Sequence, residues 1–188
     1  MSDLVIAGAG MAGLAAAAEA RRLGATPLVL EKLDRPGGSM RLSSGVIWRH
    51  REFEAFREEC PDGDERLQRL IFERLDGDID WLRSLGAAAR SRDTGNPLTT
   101  GARFDPASMT EALVAAAGGL ARTGSEGIEL DRALVEAPSG SPLILATGGF
   151  GANRDLLRVH VTPEADHALL IAVAVCVIRM AEKEHGEG

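Results

Sequence analysis

The first 31 residues constrain this chain more than any other part of it. Leu4-Val5-Ile6-Ala7 is a short apolar run closed by glycine, the pattern of a strand buried on both faces. Residues 13–23 are rich in alanine with arginines at the end, and Gly24 follows as a stop, so a helix is predicted there. Leu28-Val29-Leu30 predicts a second strand. Strand, glycine turn, helix and strand within about 30 residues make a β-α-β unit. Such a crossover holds its two strands parallel, which points to an α/β fold.

The turn inside that unit reads Gly8-Ala9-Gly10-Met11-Ala12-Gly13, the G-x-G-x-x-G spacing. Gly8 permits a tight turn, Gly10 lets the backbone approach a pyrophosphate, and Gly13 lets the helix pack closely on the sheet. The helix start offers unpaired N–H groups and the positive end of its dipole to phosphates. Anion binding of this kind needs no net positive charge, and the 21 Lys+Arg against 28 Asp+Glu sum to −7. Glu31, at the end of the second strand, can accept hydrogen bonds from ribose hydroxyls and would repel a 2′-phosphate, so NADP is disfavoured. A purely structural glycine turn is the competing explanation. Spacing, strand context and acid together favour a dinucleotide site, and this first unit leaves FAD and NAD both open.

Composition narrows the class further. Apolar residues make up 45% and charged residues 26%, enough for a packed core in a soluble globular chain. The acidic balance argues against nucleic-acid or anionic-membrane partners, both of which require a cationic surface. Cys60 and Cys176 lie far apart, so neither a disulfide framework nor a metal site is expected. The N-terminus lacks the basic and apolar regions of a signal peptide. The longest apolar run, residues 168–178, falls well short of the roughly 20 residues needed to cross a bilayer. The expected location is cytoplasmic.

Further along, Pro36-Gly37-Gly38-Ser39 breaks the pattern, and residues 41–48 are a mixed segment around Ser43-Ser44-Gly45. Residues 51–60 and 64–85 predict helices. In the second, Leu67, Leu70, Ile71, Leu75, Ile79 and Leu82 form an apolar stripe and the charges a solvated face. Residues 91–107 have the composition of a loop. Ser108-x-x-Glu111 suggests a capping box for a helix running to about Ala117, ended by Gly118-Gly119. Residues 127–141 match no element. Leu143-Ile144-Leu145 predicts another buried strand, followed at once by Ala146-Thr147-Gly148-Gly149. His50, His160, His167 and His185 have no ligand or triad spacing and read as surface or structural residues. Trp48 reads as a packing residue that could also line a pocket. Arg103 could face a substrate or pair with Asp105 or another acid.

Three segments carry a resemblance. Val29-Leu30-Glu31-Lys32 with Pro36-Gly37-Gly38-Ser39-Met40-Arg41-Leu42-Ser43-Ser44-Gly45-Val46-Ile47-Trp48 resembles the FAD-binding domain of the fumarate reductase and succinate dehydrogenase flavoproteins, nearest to their 3-ketosteroid dehydrogenase-like branch. The stretches 94–105 and 145–151 are similar to the same family. The resemblance implies a Rossmann-like FAD-binding domain with a parallel sheet and a partial helical insertion. It implies that Gly37-Gly38-Ser39, with Lys32 and Met40 alongside, runs beside the FAD pyrophosphate, that Ser43-Ser44-Gly45 passes the isoalloxazine ring, and that Ala146-Thr147-Gly148 returns the chain to the nucleotide. A flat ring requires small residues and close backbone approach.

Members of that family are much longer, and they place many catalytic and substrate-orienting residues, often Tyr or Arg, in parts without a counterpart here. Tyrosine is absent altogether. The expected organisation is an incomplete FAD-binding domain over residues 1–167, with 51–117 mainly a helical insertion, and an atypical tail over 168–188. A frameshifted or truncated reading frame, or a compact variant, would explain that tail. The expected function is a flavin-dependent dehydrogenase or reductase acting on a small-molecule substrate of steroid-like ketone or carboxylate type. A non-catalytic nucleotide-binding remnant and an NAD-binding dehydrogenase are the alternatives. The sequence assigns no catalytic residue and no oligomeric state.

Overall fold

The computed structural model describes residues 3–119, 123 and 142–148. At its centre, β1 (Leu4–Ala7) lies between β2 (Pro27–Leu30) and β6 (Leu143–Leu145) in a parallel sheet of order β2-β1-β6. Val5 is flanked by Leu28 and Leu143, Ile6 by Val29 and Ile144, and Ala7 by Leu30 and Leu145. Val5, Ile6 and Ala7 are fully buried. A central parallel strand has apolar neighbours on both faces, which is why this run shows no polar alternation. Helix α1 (Met11–Arg22) packs on the sheet through Gly13, Leu14, Ala17 and Ala18, of which the glycine and the alanines let it lie close. Arg21 and Arg22 occupy its last turn, where cations complement the helix dipole.

A second, antiparallel sheet has the order β3-β5-β4, with β3 at Val46–His50, β4 at Ala89–Ser91 and β5 at Thr99–Phe104. β5 corrects the loop predicted over 91–107, and the stretch 51–117 therefore holds strands as well as helices. Its threonines favour a strand, but Gly101 and the flanking Gly95, Asn96, Pro97 and Asp105 give the stretch a loop composition. Pairing across to β3, with Ile47 opposite Ala102 and Val46 opposite Arg103, supplies the missing hydrogen bonds. Ala102 and Phe104 on alternate positions are then fully buried. One core joins the two sheets, running from Ile6, Leu14 and Val29 to Ile79, Leu82, Phe104 and Leu113.

Helices α2 (Phe53–Glu59) and α3 (Glu65–Ser84) lie within the predicted spans. Asp64 caps α3 by accepting from the amides of Arg66 at 2.8 Å and Leu67 at 3.1 Å. The apolar stripe is buried at Ile79 and Leu82, but Leu70 is 48% exposed while Gln68 is 2% exposed. The first turns of α3 face the backbone of the α2–α3 turn rather than the core, and an amide suits carbonyls better than a leucine does. Gln68 Nε2 donates to the Cys60 carbonyl at 2.8 Å, and its Oε1 accepts from Arg57 at 2.5 Å. Arg57 also donates to the carbonyls of Gly63 and Pro61.

Helix α4 (Pro106–Ala116) packs against α1 and begins before the predicted capping box. Asp105 is its cap, accepting from the Ser108 amide at 2.9 Å, with Pro106 in the first turn. Ser108 is thus inside the helix, and its hydroxyl accepts from the Ala88 amide at 2.9 Å. The Ser108 amide, and then the Arg90 guanidinium, hold the Asp105 carboxyl below its ordinary value. A lowered folded value means that this stabilisation is complete above the unfolded aspartate range and is lost progressively as the pH falls from there through the lower folded value. Asp105→Asn keeps a good cap but no titrating charge. In urea unfolding, the wild-type advantage over this variant is expected at neutral pH and shrinks as the pH drops below about 4. A difference that does not change with pH would assign the cap no ionic part.

Among the described residues no helix is long and apolar enough to cross a membrane. The stretch 127–141, Gly149, His160, His167, His185, Cys176 and the tail 168–188 lie outside the described residues.

Candidate functional site

The β1–α1 turn is held on three sides. The Gly8 amide donates to the Leu30 carbonyl of β2 at 2.7 Å, and the Ala146 amide donates to the Ala7 carbonyl at 2.8 Å. Gly8 has φ +103°, a conformation that side chains disfavour, and a Cβ there would overlap the Ala146 carbonyl. A Cβ on Gly13 would overlap the Gly8 carbonyl oxygen, so the helix sits directly on its own turn. Gly10 differs from both. It caps α1 without a side-chain hydrogen bond, no acid occupies the first helical turn, and among the described residues no atom beyond its own chain neighbours lies within 4 Å of where its Cβ would be. The first turn of the helix, with Met11 half-buried and Ala12 exposed, therefore keeps its positive end without a side-chain cap.

Glu31 lies beneath this turn, 5% exposed. Its Oε2 accepts from the Ala9 amide at 2.8 Å and its Oε1 from the Leu33 amide at 2.9 Å. Sequence reasoning gave this carboxylate to a ribose and missed that it also braces the glycine turn. The two roles are compatible, because each carboxylate oxygen can accept a second hydrogen bond. The Ala9 carbonyl accepts from the Gly37 amide at 2.8 Å, so Ala9 is gripped by Glu31 on one side and by the Gly37-Gly38 loop on the other. A Cβ on Gly38 would come 3.7 Å from the Gly10 Cα. That loop thus forms the opposite lip of the open space.

The structure brings together residues 8–13, 31, 37–38 and 146, and it sets others apart. Ala146 is buried against Gly8 and Gly13, Thr147 is half-buried, and Gly148 is exposed. Lys32 and Ser39 are exposed, whereas Met40 is 7% exposed and belongs to the core. Ser43 folds onto its own turn: its hydroxyl donates to the Met40 carbonyl at 2.8 Å and accepts from the Gly45 amide at 3.1 Å. The Gly45 carbonyl accepts from Phe104 of β5 at 2.8 Å. Segment 43–45 is therefore anchored to the antiparallel sheet. Arg103 donates to the exposed Ser44 carbonyl at 3.5 Å, and of the partners open to it Asp105 is taken by Arg90. Trp48 is 40% exposed on β3, its ring edge-on to His50. His50 is a structural histidine, buried, paired with Glu59 at 2.7 Å and stacked on Phe56.

A parallel sheet whose central strand feeds an uncapped glycine turn, with a buried acid after the next strand, is the geometry of dinucleotide-binding domains. The FAD binding domain family matches residues 3–120 of the chain. The chain belongs to this family. Its cofactor is FAD, which decides the choice that the first β-α-β unit leaves open. The chain is similar in fold to flavocytochrome c3 fumarate reductase in its open conformation, at 23% identity and a TM-score of 0.60 over 83% of this chain and 35% of that one. It is similar also to the 3-ketosteroid-delta4-(5alpha)-dehydrogenase of Rhodococcus jostii RHA1, at 22% identity and a TM-score of 0.54 over 65% of this chain and 38% of that one. The chain thus spans little more than a third of either protein. No curated protein matches it. The residues present fit FAD: open space at Gly10 for a pyrophosphate, uncapped amides beside it, and a buried carboxylate with acceptor capacity to spare. Among the described residues no cluster of side chains could hold a metal ion.

Proposed function

We propose that this FAD-binding domain is the cofactor-holding part of a flavin-dependent dehydrogenase or reductase that introduces or reduces a C=C bond next to a carbonyl or carboxylate. The observation that carries this is the convergence of the Gly8–Gly13 turn, the Gly37-Gly38 loop and Ala146 around the space at Gly10, with Glu31 tying the turn from below. When bound, FAD supplies the redox step by hydride transfer at its N5. The first-turn amides of α1 and the Gly37-Gly38 loop take the pyrophosphate. Lys32 and Ser39, both exposed, flank that path, Met40 supports it from the core, and Glu31 accepts from the adenosine ribose. Ser43-Ser44-Gly45 borders the flavin ring, where the hydrogen bond from the Gly45 amide to the Ser43 hydroxyl holds the backbone in place. Ala146-Thr147-Gly148 closes the nucleotide side. Residues 1–167 form the cofactor domain in this proposal, and 168–188 lie beyond it.

The purified protein is expected to be yellow, or to become so on adding FAD, and its flavin absorbance is expected to bleach on reduction and return in air. A colourless protein that takes up no FAD would remove the proposal. Uptake of FAD that no electron donor reduces would leave a nucleotide-binding module without turnover.

A further inference from the structure

We infer that Arg41 is a further cofactor-binding residue, supplying a positive charge to the pyrophosphate; the inference rests on the FAD site proposed above. The glycine turn itself has no cationic side chain between Gly8 and Leu14. The helix dipole offers only about half an elementary charge to a diphosphate. Arg41 lies on the short 3-10 helix Gly38–Leu42, which starts at the glycine facing Gly10. Its stem folds back over Gly37: a Cβ on that glycine would run into Arg41 Cγ and would lie 2.6 Å from Cδ. Gly37 is in turn bonded to the Ala9 carbonyl at 2.8 Å. The stem is thus laid on the loop that grips the glycine turn, and the guanidinium extends two bonds beyond that anchor.

Charge points the same way. Arg22, Arg49, Arg69, Arg83 and Arg90 each pair with a carboxylate. Arg41 is exposed, and among the described residues no carboxylate or carbonyl takes its guanidinium. In a chain of net charge −7, an unneutralised cation whose stem lies on the loop facing Gly10 is available to an anionic ligand. A guanidinium meets a phosphate in bidentate fashion, which an ammonium cannot do.

The test is calorimetric titration of FAD, ADP and adenosine into the wild type, Arg41→Ala and Arg41→Lys. Arg41→Ala is expected to weaken FAD and ADP about tenfold or more and leave adenosine unchanged, with Arg41→Lys in between. Added salt should narrow the gap between wild type and Arg41→Ala. Equal FAD and ADP affinities in wild type and Arg41→Ala would overturn the assignment. So would an equal loss for adenosine, since that marks a damaged loop rather than a missing charge. If the wild type binds ADP with the same Arg41 dependence but not FAD, Arg41 stands as a diphosphate ligand and the FAD proposal falls. Binding of none of the three would end both.

Discussion

Gly8→Ala is expected to lower the melting temperature by roughly 6–12 °C and to abolish FAD binding at micromolar concentrations. Two costs combine. Residue 8 has φ +103°, and an L side chain there is strained by about 1–3 kcal/mol. The added methyl would also overlap the Ala146 carbonyl, with the Ala146 carbon at 2.8 Å and the Thr147 Cα at 3.2 Å. These are backbone atoms of the segment that closes β6 onto β1, so no side-chain rotation relieves the overlap. Either β6 separates from β1 or the glycine turn moves, and both outcomes displace the amides proposed to hold the pyrophosphate. Differential scanning fluorimetry with and without FAD measures both effects. A variant that melts like the wild type and keeps its FAD response would mean that the β1–α1 turn and Ala146 are not in close contact.

The second large effect is expected from Glu31→Gln, which keeps the shape of the side chain and changes only what its ends can accept. The wild-type carboxylate takes the Ala9 amide on one oxygen and the Leu33 amide on the other. In glutamine one of these oxygens becomes an NH2 group, and two donors face each other in a buried site. An unsatisfied buried donor costs about 1–3 kcal/mol. The amide that loses its acceptor is either Ala9, in the glycine turn, or Leu33, just after β2. FAD and adenosine should both weaken by about tenfold or more, because the proposed ribose acceptor is disturbed along with the turn. That pattern differs from the one expected at Arg41, where adenosine is spared. Titration calorimetry on both variants separates the ribose side of the site from the phosphate side. Unchanged adenosine binding in Glu31→Gln would remove Glu31 from the ribose role and leave it as a brace.

The parts legible in the sequence are those governed by short-range rules. A four-residue apolar run, glycines at fixed spacing and an alanine-rich helix with a glycine stop each specify their own backbone within a few residues. β1, α1 and β2 accordingly appear where the residues predict them, within two residues at the ends. The less legible parts depend on distant partners. Thr99–Phe104 lies in a stretch of loop composition, 91–107, and becomes a strand because β3 meets it and the core accepts Phe104. The capping-box motif places the α4 cap at Ser108, while Asp105, followed by proline, is the stronger start signal. Gln68 shows the limit of periodicity. The helical stripe assigns inward positions to leucines, but what is inward at the start of α3 is a set of turn carbonyls.

The candidate site divides along the same line. The residue types and spacing of 8–13 and Glu31 by themselves determined a dinucleotide-type β-α-β unit, because tight turns, close packing and helix-end amides are local properties. Only the tertiary structure decided that Glu31 braces Ala9, that the Gly37-Gly38 loop grips the same residue from the other side, and that Ala146 packs beneath Gly8 and Gly13. It also anchored Ser43-Ser44-Gly45 to β5 and laid the stem of Arg41 over Gly37. These contacts join segments separated by tens of residues, and the energy that selects them comes from burial and pairing between elements rather than from any property of one stretch of chain.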